Sequence, residues 1–154
     1  MLVSDGLFDD APRVLDLYAG TGALAFEALS RGASEAVLVE HAREALAAIR
    51  ENTTALDLSD RVRVVARRVD RAFELLDGPF GIVFLDPPYA DVGSKPFGDV
   101  LARAAGLVAP AGALVLEHAT ADAPPAIEAL SLDRSRRYGD TTLSLYRTAG
   151  ALRA

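Results

Sequence analysis

Short apolar runs alternate with longer amphipathic ones along most of the chain. RVLDLY (Arg13 to Tyr18) is apolar enough for a buried strand and runs into the glycine turn AGTG. From Thr21 to Arg31, Leu24, Ala25, Ala28 and Leu29 recur at helical spacing, and Gly32 follows as a left-handed stop. EAVLVE (Glu35 to Glu40) is the next strand; a helix from about Ala42 to Thr54 sets Ala45, Leu46 and Ile49 on one face. VRVVA (Val62 to Ala66) is a third strand, Asp70 to Leu76 a short helix, and Asp77-Gly78-Pro79 a turn before the fourth strand GIVFLD (Gly81 to Asp86). Pro96 to Val108 predicts another helix, broken by Pro110-Ala111-Gly112 ahead of ALVLEH (Ala113 to His118). Ala123 to Leu130 reads as a weaker helix opened by Pro124 and Pro125.

The last stretch, LDRSRRYGDTTLSLYR, changes pattern: two strand-like runs meet at Tyr138-Gly139-Asp140, which marks a hairpin and not another crossover. Five βα units followed by a hairpin predict an α/β fold. Its sheet is Rossmann-like, seven-stranded and mainly parallel, with helices on both faces and a C-terminal antiparallel hairpin. The expectation is one domain over residues 1–154, in which Asp91 to Lys95 is the loop whose Gly and Ser suggest mobility.

Composition narrows the chemistry. With 51% hydrophobic and 25% charged residues the chain folds by burial, and no apolar run is long enough for a membrane helix or a signal peptide. Cysteine is absent, which excludes thiolate catalysis, disulfides and Cys-based zinc sites; His41 and His118 are the two imidazoles, and we expect no metal. A cytoplasmic location is expected. The net charge of −6 argues against a surface that clings everywhere to a polyanion, so contact with nucleic acid must be local. Two basic clusters are available, Arg61, Arg63, Arg67, Arg68 and Arg71 in one, and Arg134, Arg136 and Arg137 in the other; taken alone, each reads as solvated loop and strand-end charge.

Two stretches carry candidate chemistry. In DLYAGTGALA, Gly20, Gly22 and Ala25 fit a loose G-x-G-x-x-G/A turn between a strand and a helix, where backbone can approach a ligand. Glu40 ends the second strand 18 residues after Gly22, placed to accept both hydroxyls of a ribose. Nicotinamide enzymes share that layout, and Asp16 discriminates: its carboxylate repels a pyrophosphate at the helix N-terminus but welcomes a ligand ammonium, as in S-adenosylmethionine. In IVFLDPPYAD, a buried strand runs into an acid, two prolines and an aromatic ring. Read alone this is a proline corner capping a strand; read with the glycine turn it is the second half of one crevice at the strands' C-terminal ends.

The order of VLDLYAGTGALAFEALSRGA, the acid of VLVE, LDPPY and the terminal RRYGDTTLSLY, spanning about Arg13 to Arg147, resembles the bacterial small-subunit (16S) rRNA guanine-N2 methyltransferase family. AGTG and DPPY occur across many S-adenosylmethionine-dependent base methyltransferases, whereas EALSRGA and YGDT are narrower. The resemblance implies that Asp16, Tyr18, Ala19, Gly20, Thr21 and Gly22 line the methionine part of the cofactor and that Glu40 holds the ribose. For the adenine, family members carry an Asp-Ala or Asn-Ala pair where this chain reads Arg68-Val69-Asp70-Arg71, so either Asp70 or the backbone of Val69 takes that role. At the corner, Asp86 and the carbonyl of Pro87 accept the two hydrogens of an exocyclic amine, Pro88 is the rigid link, and Tyr89 is a platform for the base. The expected product is S-adenosylhomocysteine, and the expected partner is rRNA or a small-subunit assembly intermediate, met by a monomer.

Family members carry a basic, threonine-containing N-terminal segment, whereas the residues here before Arg13 include the acidic SDGLFDD, so the family's N-terminal extension is expected to be lacking. The competing readings are an adenine-N6 (DNA or RNA) or protein-glutamine methyltransferase, which use similar corners, a nicotinamide-dependent oxidoreductase, and a non-catalytic adenosine-binding module. An oxidoreductase needs a proton donor near the nicotinamide ring, and no Tyr-x-x-x-Lys supplies one. Glu117 reads as structural, His118 as a core or rim imidazole, and Tyr18 as a lid or packing group.

Overall fold

The computed structural model describes residues 6–148. The chain carries a seven-stranded mixed sheet with helices and divides into two compact units, Met1–Asp77 and Gly78–Ala154. Among the described residues no helix is long and apolar enough to cross a membrane.

In the first unit the elements run β1 (Arg13–Leu17), α1 (Ala23–Ser30), β2 (Glu35–Glu40), α2 (Arg43–Ala55) and β3 (Val62–Ala66). The strands lie in the order β3-β2-β1 and all pair in parallel, with Arg13 opposite Glu35 and Ala36 opposite Val62. β1 and β2 read as nearly unbroken apolar runs because both of their faces are covered: Val14, Leu15, Leu17, Ala36, Leu38 and Val39 are all fully buried. The predicted strands over Glu35 to Glu40 and Val62 to Ala66 agree with β2 and β3. The short helix expected over Asp70 to Leu76 is instead two 3-10 turns, Val69–Arg71 and Phe73–Leu75. Gly32 closes the first helix at φ 119°, as a left-handed stop requires.

The second unit contains β4 (Phe80–Leu85), a 3-10 turn (Tyr89–Asp91), α3 (Lys95–Ala105), β5 (Val108–Ala119), β6 (Leu130–Tyr138) and β7 (Thr141–Thr148). Its strand order is β4-β5-β7-β6; β4 pairs with β5 in parallel, and β7 runs against both β5 and β6. The hairpin closes through Gly139 and Asp140, with Gly139 at φ 62° in the first central position, where a two-residue loop accepts glycine.

Two expectations are corrected here. Pro110-Ala111-Gly112 does not break the chain before β5; it lies inside the strand. Ala111 takes φ 64°, and a Cβ on Gly112 would stand 2.8 Å from the Ala109 carbonyl oxygen, so the backbone passes where only glycine fits. Within the Asp91 to Lys95 loop, Ser94 caps α3: its hydroxyl accepts from the Phe97 N–H at 3.3 Å and donates to the Asp91 carbonyl at 2.7 Å. Finally, no helix forms over Ala123 to Leu130, so five βα units become three α-helices among the described residues. A proline followed by a second proline is pushed to extended backbone, and here the segment is held by its own contacts, the Tyr146 hydroxyl donating to the Pro125 carbonyl at 2.7 Å over a buried Ile127.

Candidate functional site

The predicted cofactor residues cluster at the end of β1. The Ala19 N–H continues the ladder by donating to Val39 at 3.0 Å, and the Gly22 N–H then turns back onto the Ala19 carbonyl at 2.9 Å. Tyr18, Gly20 and Gly22 all adopt positive φ, at 62°, 59° and 88°. The two glycines do different work. A Cβ on Gly22 would meet the Phe26 ring at 2.7 Å and Leu38 at 3.0 Å, so Gly22 is small to let α1 pack down on the strands. Around Gly20 nothing lies within 4 Å of that position, so its backbone stays open to a ligand. Thr21 is exposed between them, and Asp16 is buried in β1 opposite Leu38.

Glu40 ends β2 and ties this turn to the start of α2. One carboxylate oxygen accepts from the Gly20 N–H at 2.9 Å; the other accepts from His41 at 2.9 Å and Ala42 at 2.7 Å. A carboxylate offers roughly four acceptor positions, so this arrangement leaves room for one further donor. Accepting both hydroxyls of a ribose requires Glu40 to release one backbone N–H. Further along, Val69 is buried at the head of its 3-10 turn, while the Asp70 carboxylate pairs with Arg68 at 3.1 Å on the surface.

The first basic cluster is mostly structural. Arg61 donates to the Ala33 and Ser34 carbonyls, Arg63 to Leu75 and Arg67 to Ala66.

The second group of predicted residues sits at the end of β4. Asp86 and Pro88 are exposed and Pro87 is buried. Leu85 is the last β4 residue in register with β5, opposite Leu116. The next residues along the two strands are Asp86 and Glu117, and their carboxyls hydrogen-bond. Withdrawal from water raises the Asp86 pKa, opposed by the hydrogen bond from Glu117. Glu117 is raised by burial, by the negative charge of Asp86 and by the same bond. Both carboxyls therefore hold a proton to higher pH than in water, and in the hydrogen-bonded form of the pair Glu117 is the donor and Asp86 the acceptor.

Tyr89 is 44% exposed, and its hydroxyl is hydrogen-bonded to that of Thr141 at the start of β7. A ring fixed at its tip while its face meets solvent is a rigid aromatic surface. The sequence reads Glu117 as structural and offers no contact for Thr141, so neither pairing is foreseen there. The signal for Glu117 was an acid ending an apolar strand as Asp86 does; for Thr141 it was the YGDT motif, quoted without a physical role. His118 is a satisfied core imidazole, bonded through Nδ1 to the Ala119 carbonyl at 3.0 Å and through Nε2 to the Ser144 hydroxyl at 2.7 Å. A cavity of about 320 Å³ between α3 and residues 125–128, walled by Phe97, Leu101 and Ile127, includes none of the predicted site residues.

The chain is similar to several known proteins. The "Putative rRNA methyltransferase YlbH" of Bacillus subtilis (strain 168) is 30% identical over 149 residues, which are 94% of this chain and 80% of that protein. The "Ribosomal RNA small subunit methyltransferase D" of Escherichia coli (strain K12) is 39% identical over 75 residues, covering 49% of this chain and 37% of its own. A solved structure of a conserved hypothetical protein of Streptococcus pyogenes superposes with a TM-score of 0.82 at 36% identity, covering 92% of this chain and 89% of the other. The family described as "Conserved hypothetical protein 95" matches residues 8–147, and the chain belongs to that family, with rRNA methyltransferases among its relatives.

Proposed function

We propose that this protein transfers a methyl group to the exocyclic N2 amine of a guanine in small-subunit rRNA. S-adenosylmethionine is the methyl donor, and when bound it supplies an electrophilic methyl on a sulfonium. The residues of the first unit suit such a ligand. Gly20 is open to its backbone contacts, and Glu40 stands at the strand end with one acceptor position to spare. The substrate follows from the relatives' rRNA activity together with the corner after β4.

That corner is the observation that carries the reading. An aromatic amine is a weak nucleophile because its lone pair is delocalised into the ring. Asp86 accepts one amine hydrogen and the Pro87 carbonyl the other, which draws the nitrogen toward tetrahedral geometry and frees the lone pair. Neither proline offers a competing N–H. As the nitrogen gains positive charge, the ionised Asp86 stabilises it more than it stabilises the neutral amine, so its effect falls on the transition state. Tyr89 supplies a fixed face for the base, which leaves its stack or arrives single-stranded. The partner is rRNA or a small-subunit assembly intermediate, and the protein acts as a monomer.

Asp86→Asn tests the assignment. It keeps the shape and one acceptor but removes the charge, so methyl transfer should fall by at least about a hundredfold, on the scale of losing one electrostatic stabiliser. Calorimetric affinity for S-adenosylmethionine should stay within about twofold of wild type. Loss of both together makes Asp86 a structural residue, and NAD binding in place of S-adenosylmethionine removes the methyltransferase reading altogether.

A further inference from the structure

At the outer end of the second unit the alternation of β7 separates a buried side of that strand from a more open one. Thr142 and Ser144 are buried at 7% and 0%, together with His118 opposite Thr142, so that side is covered. Thr141 and Leu143 point the other way and are only half-buried. The cross-strand partners of these two residues therefore share the open face. Thr141 is opposite Tyr138 on β6, and Leu143 is opposite both Glu117 on β5 and Arg136 on β6.

Two rows result. One runs from Asp86, the residue after β4, through Glu117, Leu143 and Arg136 on β5, β7 and β6, with the acid pair at one end and an exposed guanidinium at the other. Three strand spacings separate its ends, about 14 Å, room for a target base and a neighbouring nucleotide. The second row places Tyr138 beside Thr141, whose hydroxyl also holds Tyr89. Tyr138 is 53% exposed. Two exposed tyrosines thus meet one threonine, Tyr89 through its hydroxyl and Tyr138 as its cross-strand partner, and among the described residues β6 is the last strand in the order. Arg137 is on the opposite face, its guanidinium donating to the Gly139 carbonyl at 3.0 Å, which leaves Arg136 as the exposed cation of this row.

We infer that the β6–β7 hairpin is a subsite for the nucleotide that flanks the target base in a single-stranded segment. Tyr138 stacks on the flanking base, and Arg136 contacts its phosphate. This rests on the reading of Asp86 and Tyr89 as the amine site, and it adds the route by which the strand crosses the protein. Stacking tolerates any base, so the subsite contributes affinity and direction more than sequence choice. It also reconciles a net charge of −6 with an RNA substrate, because attraction is confined to one strand edge.

The test uses the full chain and a fluorescently labelled single-stranded RNA oligomer containing guanine, followed by anisotropy at several salt concentrations. Tyr138→Ala should weaken binding by about fivefold to a hundredfold, the scale of one lost stack, while Tyr138→Phe, which keeps the ring, should bind as wild type. Arg136→Ala should lower the dependence of log affinity on log salt by about one. Both positions are exposed, so thermal unfolding and S-adenosylmethionine affinity should be unchanged. Wild-type affinity and salt dependence in Tyr138→Ala and Arg136→Ala would overturn the inference, as would equal binding of duplex RNA. The two claims fail separately. RNA binding that needs Tyr138 without any methyl transfer refutes the activity alone, whereas methyl transfer with an unchanged KM for RNA in Tyr138→Ala refutes the subsite alone.

Discussion

Glu40 offers the most searching test of how the first unit is built. Its carboxylate gathers three backbone N–H groups, but they are not equivalent: those of His41 and Ala42 are exposed, and that of Gly20 is partly buried. In Glu40→Ala the two exposed donors turn to water at little cost, whereas the Gly20 N–H loses a charged acceptor, worth roughly 1.5–3 kcal/mol. Loss of that bond also frees a turn in which Tyr18, Gly20 and Gly22 are all held at positive φ. Where cofactor binding needs the turn ordered, the same energy corresponds to about a tenfold to hundredfold rise in the Kd for S-adenosylmethionine. Glu40→Gln should fall between, because its amide keeps one oxygen acceptor but presents N–H to donors at the other position. Thermal unfolding and titration calorimetry read the two effects on one preparation. An Ala variant with wild-type Tm and wild-type affinity would refute the reasoning, since neither the latch nor the ribose contact would then depend on Glu40.

Other perturbations separate packing from chemistry. Thr141→Val leaves the hairpin paired but releases the Tyr89 hydroxyl; kcat/KM should drop about fivefold, the scale of one hydrogen bond, and Tyr89→Phe combined with it should cost no more than either alone. Gly22→Ala should destabilise by roughly 1–3 kcal/mol through overpacking against Phe26 and Leu38, whereas Gly20→Ala, which meets nothing, should show mainly the backbone strain of its φ, about 1 kcal/mol, and a loss of cofactor affinity. Because the folded pKa values of Asp86 and Glu117 are raised, the pair's stabilisation is fully present below their ordinary values of 3.8 and 4.5 and is lost as pH rises through the raised ones. Glu117→Gln keeps a donor for Asp86 and cannot ionise, so its Tm should exceed that of wild type near neutrality and the difference should close in acid; a constant difference across pH would contradict the raised pKa values.

Features set by local chemistry were the legible ones. β2 and β3 begin and end where their apolar runs do, the hairpin turns at the glycine of YGDT, and Gly20, Gly22 and Glu40 cluster as their spacing implies. What misled was local signal overridden by context. Pro124-Pro125 resembles a helix start but no helix follows it, and Pro110-Ala111-Gly112 resembles a break but lies within β5, through a close backbone approach no side-chain pattern records. What was invisible was non-local. The partner of Tyr89 is 52 residues away, and Glu117 meets Asp86 only through the register of two parallel strands.

The central claim is the reaction itself. Small ribosomal subunits from cells lacking this protein, and rRNA stripped from them, would be incubated with the protein and isotopically labelled S-adenosylmethionine, then digested to nucleosides and resolved by mass. The account predicts label in N2-methylguanosine, absent with Asp86→Asn. Label in a methylated adenine, or no labelled nucleoside from either substrate, would contradict it.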